Sequence, residues 1–161
     1  LKMISREPDG DKDLLKRGKS PSKATGLDRK KLLFRNLFLA SDDSKIAFVL
    51  WEYFSAVHMR WPGALTNRER GMILGRTTGF AALMRLLPEV LVRLTARPLD
   101  EDSSKIHKEE ILNLLNLIRI DEADFNSTNY LPGSTGEAKL FGDMLGYLQS
   151  KPERWFGQRL F

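Results

Sequence analysis

The chain has 161 residues, 42% of them hydrophobic, enough for one domain to close a real core. The absence of cysteine excludes disulfides and thiolate metal sites, and only two histidines, His58 and His107, leave little for an imidazole-based one. The net charge of +5 is concentrated at the front, where residues 1–40 hold 11 Lys and Arg against 5 acids, while residues 101–161 hold 7 against 10.

No apolar run reaches the roughly 18 residues that a membrane span needs, and the opening LKMISREPDGDKD is charged where an export signal is apolar. No membrane partner is expected, and the expected compartment is the cytoplasm. The opening LKM reads as the interior of a polypeptide, so a longer parent protein is expected. Residues 1–26 read as a basic, polar arm, because charges are mixed there with Pro8, Gly10, Gly18, Pro21 and Gly26. A solvated, flexible arm is one reading. The other is a nucleic-acid contact through Lys16, Arg17, Lys19, Lys23, Lys30 and Lys31, which would neutralise phosphates and release counterions.

Residues 27–161 read as a helical domain. A first helix is predicted over 28–39, with Asp28 at its N-terminus and Leu32, Leu33, Phe34, Leu37 and Phe38 on a broad apolar face. Ser41-Asp42-Asp43 re-caps the chain. From 42 to 60, Ile46, Val49, Leu50, Tyr53, Phe54, Val57 and Trp61 recur at helical spacing, with Phe48 and Trp51 off that stripe and so expected to be covered on a second side. Pro62-Gly63 ends this helix, and at most a short strand is expected over 71–75 between two glycines.

Thr77 or Thr78 is placed to cap the next helix, which sends Phe80, Leu83, Met84, Leu87, Val90, Leu91 and Leu94 to a core. Pro88 predicts a kink or break, and Arg85, Glu89, Arg93 and Arg97 read as a solvated ridge or a phosphate-contacting one. A further helix is predicted from 100–104 to about 119, then a polar connector over 121–132. A last helix carries Leu140, Phe141, Met144, Leu145 and Leu148, with Gly142 and Gly146 one turn apart permitting a close helix contact. Trp155, Phe156, Leu160 and Phe161 form an aromatic tail that must pack on the body, a protein partner or a second copy.

Chemistry-bearing patterns are few. PGSTGEAKL leads into a helix as a phosphate-binding loop does, but Gly133 and Gly136 are three apart and Lys139 does not follow the second glycine. Capping by Ser134 or Thr135 explains the same residues, and RTTG at 76–79 invites the same pair of readings. Thr77, Thr78, Gly133, Ser134, Thr135 and Gly136 therefore stand as a candidate anion site. No metalloprotease, nucleophile-elbow, dithiol or calcium-loop motif is present, and Asp121-Glu122-Ala123-Asp124 without a phosphate loop reads as a charged connector. No catalytic residue, metal ligand or cofactor is assigned.

The order of features, WEYFSAVHMRWP, then GMILGRTTGFAALMRLL, then a Gly-Ser-x-Gly turn into a last helix, resembles the C-terminal portion of DGQHR-domain proteins. That bacterial group includes DndB-type proteins of DNA phosphorothioation systems. The matching positions are Trp51, Tyr53, Phe54, Ala56, Trp61 and Pro62, then Thr77, Thr78, Gly79, Ala82, Leu83 and Leu86, then Gly133, Ser134 and Gly136. The name-giving Asp-Gly-Gln-His-Arg motif, carried in the family by a ParB-like head, is absent from these residues. The resemblance implies a DNA-linked bacterial protein whose helical C-terminal part supports a separate head.

The expected architecture is mainly α, a compact bundle of about five helices. The expected function is a non-catalytic accessory or regulatory module of a DGQHR-type protein, with DNA as its partner. A helical interaction or oligomerisation domain without DNA contact is the alternative, and a nuclease-like enzyme with its active site outside this chain is the third.

Overall fold

The computed structural model describes residues 2–104 and 106–154. The apolar spacing resolves there into α1 (Pro8–Lys16), α2 (Asp28–Lys31), α3 (Arg35–Leu39), α4 (Asp43–Arg60), α5 (Pro62–Thr66), α6 (Thr77–Leu94), α7 (Lys108–Leu115) and α8 (Ser134–Leu148). The fold is all-α. Among the described residues the 71–75 stretch forms no strand, only one antiparallel bridge between Met72 and Asn126.

α4 starts where its sequence says, because the Asp42 carboxylate accepts the Lys45 amide at 3.2 Å. Its predicted stripe turns inward: Val49, Tyr53, Val57 and Trp61 are buried and Ile46, Leu50 and Phe54 half-buried. The Tyr53 hydroxyl donates to the Leu83 carbonyl at 2.7 Å, tying α4 to α6, and burial pushes the phenol well above its ordinary pKa. Phe48 and Trp51 depart from expectation, since both stay exposed.

The predicted helix over 28–39 is divided. Leu32 leaves helical geometry at φ −104°, ψ 53°, and the Phe34 amide donates to the Met3 carbonyl instead of continuing a helical ladder. The front segment is thereby stitched to the body. Arg35, buried under it, donates to the carbonyls of Ile4 and Ser22 and pairs with Asp11 at 2.6 Å. Asn36 closes a two-way exchange with the backbone of buried Ala24.

The Arg35 guanidinium, helped by the Ser5 hydroxyl, lowers the Asp11 pKa from 3.8 to about 2. A depressed acid stabilises the fold fully above its unfolded value and loses that contribution as pH falls through the folded one. Asp11→Asn should therefore unfold more readily than the parent at neutral pH, and the gap should close between 3.8 and about 2. Thermal melts recorded across that window check this. A gap that stays constant would show that the pair carries no proton linkage.

α6 continues through Pro88 rather than breaking there. An interior proline costs about 3 kcal/mol, but Leu86, Leu87, Val90, Leu91 and Val92 are all buried around it, at roughly 1.5 to 3 kcal/mol each. Phe80, expected in the core, is 53% exposed. The charged ridge is solvated only in part: Arg85 and Arg97 are exposed, but its middle turns inward. Arg93 is buried, with Nη1 on Glu89 at 3.0 Å and Nε on the carbonyls of Leu148 and Lys151, the negative end of α8.

α7 begins at Lys108, not near 100, because its first turn is capped from another helix: Glu52 of α4 accepts the Lys108 amide at 2.6 Å. Acids of the expected connector are structural as well. Asp121 and Asp124 form a reciprocal capping box around a 3-10 turn, and Glu122 accepts the Ala64 amide at the start of α5. Gly142 and Gly146 are exposed with open space around them, so among the described residues no helix packs there.

Candidate anion-binding cleft

Two helix starts share a local design. Thr77-Thr78-Gly79 and Ser134-Thr135-Gly136 occupy the first three positions of α6 and α8. In each case the glycine lets the preceding chain cross the first turn: a Cβ on Gly79 would collide with the Ile73 and Leu74 backbone, and one on Gly136 with the Leu131 carbonyl. Gly133, at φ 97°, supplies the left-handed step into α8.

The expected capping is not what the threonines and serine do. Neither helix has a side-chain cap; instead the Thr78 hydroxyl accepts the Gly133 amide at 3.1 Å, fastening one helix start to the other. With Thr78 beside Gly133 at one end and Arg93 on the Leu148 carbonyl at the other, α6 and α8 run parallel. Their positive ends therefore lie together, a like-pole arrangement that an anion relieves. The amides of Thr77, Thr78, Ser134 and Thr135 donate to no protein acceptor among the described residues.

These ends open on a cleft of about 530 Å³ whose lining includes Arg70, Arg76, Thr77, Thr78, Ser127 and Gly133, and no carboxylate. Arg76 is held in place by the Arg68 and Glu69 carbonyls, whereas Arg70 is exposed and makes no such bond. Three of the six predicted anion-site residues, Thr77, Thr78 and Gly133, line the cleft. Ser134 and Thr135 are exposed at the head of α8, and Gly136 is buried. Sequence reasoning missed Arg70 and Ser127; the only signal was the density of Arg68, Arg70 and Arg76 within one loop.

The basic front set lies elsewhere. Lys16, Arg17, Lys19, Lys23 and Lys31 are exposed, but Lys30 is half-buried and pairs with Glu89 at 2.9 Å and Glu153 at 2.7 Å. Glu89 is twelve residues beyond Thr77 on α6, about 18 Å along the axis, so the two candidate sets are not brought together. His58 and His107 are exposed and outside the cleft. Among the described residues no helix is long and apolar enough to cross a membrane, and no group of three or more His, Asp or Glu is placed to hold a metal ion. The tail residues Trp155, Phe156, Leu160 and Phe161 lie outside the described residues. Compared with known proteins, the chain matches no family model, no curated protein and no solved structure.

Proposed function

We propose that this chain is a non-catalytic helical module that holds a backbone phosphate of DNA in the cleft, the role of an accessory part in a DGQHR-type protein. One observation carries the reading: two parallel helix N-termini and two arginines meet in a cleft with no carboxylate in its lining. Helix N-termini, hydroxyls and arginines are the groups with which proteins hold nucleic-acid phosphates. Besides its cations and hydroxyls the cleft is lined by Met72, Ile73 and Pro132, and its lining has neither a carboxylate nor a histidine, the side chains that most often act as general bases. Binding without chemistry is what such a lining supports.

Arg70→Ala is the cleanest test, because its exposed side chain holds no other part of the fold. A charge-assisted hydrogen bond is worth roughly 1.5 kcal/mol or more, so affinity for a short duplex at low salt should fall about tenfold. The slope of log affinity against log salt should become shallower by about one phosphate contact. Fluorescence anisotropy measures both. Equal affinity of variant and parent overturns the cleft, and binding lost only when Lys16, Arg17, Lys19 and Lys23 are neutralised moves the contact to the front segment.

A further inference from the structure

The cleft at the heads of α6 and α8 is larger than the phosphate assigned to it. A phosphate has five heavy atoms, and even at a whole water's share of about 30 Å³ each they fill less than roughly a third of the 530 Å³ present. The rest is not walled by charge. Met72, Ile73 and Pro132 line it, Met72 half-buried and Pro132 exposed, with Leu131, next in the chain, 61% exposed. An inorganic ion leaves such a wall against water. The wall is also fixed in advance. The Ile73 amide donates to the Phe125 carbonyl at 2.9 Å and the Ser127 amide to the Gly71 carbonyl at 2.7 Å, on either side of the Met72–Asn126 bridge. The Ser127 hydroxyl, also in the lining, has no hydrogen-bond partner among the described residues. A hydroxyl both donates and accepts, so it suits the polar edge of any base.

We infer that the DNA held in the cleft is unpaired at the bound phosphate, with the base of that nucleotide laid on Met72, Ile73 and Pro132; this rests on the cleft being the phosphate site. In a duplex the bases are paired and stacked inside while the phosphates project. A docked duplex therefore brings only phosphate and sugar to a recess and leaves the apolar wall bare. An unpaired nucleotide turns about its backbone, and its base can enter a pocket and lie against apolar side chains. Phosphate on the helix N-termini and Arg70, and base on the apolar wall beside Ser127, account for both halves of the lining.

Fluorescence anisotropy of the full chain at one low salt concentration, with a short mixed-sequence single strand and the blunt duplex of the same sequence, tests this. Charge alone favours the duplex, whose phosphates are denser, so a preference for the single strand reports the wall. The parent should bind the single strand at least about fivefold more tightly than the duplex. Met72→Gln, which keeps the side-chain length and puts an amide in the wall, should remove most of that preference and leave duplex affinity unchanged. By NMR the Met72 methyl resonance should move with the single strand and not with the duplex, a readout that needs no variant. A duplex bound as tightly as the single strand overturns the inference and leaves the phosphate site standing. So does a preference that survives Met72→Gln, or deoxyadenosine monophosphate binding as tightly as the strand, which would make the ligand a free nucleotide. If Arg70→Ala weakens neither DNA, the phosphate site falls and this inference with it.

Discussion

Trp61→Ala should be the most damaging single truncation, lowering stability by about 3 to 5 kcal/mol. Trp61 is fully buried at the joint where α4 ends and α5 begins, its ring edge-on to Phe125 at 5.2 Å and covered by the Arg60 guanidinium at 5.0 Å. Its indole N–H donates to the Ile120 carbonyl at 2.9 Å, so truncation leaves both a cavity and an unpaired carbonyl. Trp61→Phe, which keeps most of the volume and loses the donor, should fall between parent and Ala. Urea midpoints with an unchanged slope measure the series. A loss below about 1 kcal/mol for Trp61→Ala would mean that the site collapses freely, contrary to the packing described.

Two glycines of α8 should answer the same substitution with opposite signs. Gly136→Ala drives a methyl into the Leu131 carbonyl, where backbone has to move, and should cost about 1 to 3 kcal/mol or more. Gly142→Ala meets open space and removes the flexibility of a helical glycine, so it should stabilise by roughly 0.5 to 1 kcal/mol. Because Gly136 sets the crossing of Leu131 over α8, its variant should also weaken whatever binds in the cleft, while Gly142→Ala leaves binding alone. Thermal melts of both, with duplex titration beside them, make the comparison. Two variants of equal stability would show that close approach does not constrain the first turn of α8.

How much could be read from the chain follows from where each element's instructions reside. α4 was legible almost to the residue because its stripe and its Asp42 cap are local, and so was the apolar face of α6 apart from Phe80; α8 was legible as a helix, but with Ser134 or Thr135 expected as the cap where the structure has Gly133. Boundaries set by distant partners were not. The break at Leu32 is made by the Met3 carbonyl, and the start of α7 by Glu52, 56 residues away. Arg93 looked solvated from its four-residue spacing alone, yet the carbonyls at the C-terminal end of α8 draw it into the interior. The same holds for the cleft. Its two Thr-Gly turns are visible as words, but no local pattern says that Gly133 donates to Thr78 or that Arg70 lies beside both. Parallel packing of α6 and α8 is what brings the two helix starts together.

An amide-resolved NMR titration of the full chain with a short DNA duplex examines that site most directly. Phosphate held between the N-termini of α6 and α8 requires the largest shift changes at the amides of Thr77, Thr78, Ser134 and Thr135, saturating together at one affinity. Changes confined to residues 12–23, or no changes at all at low salt, would contradict it.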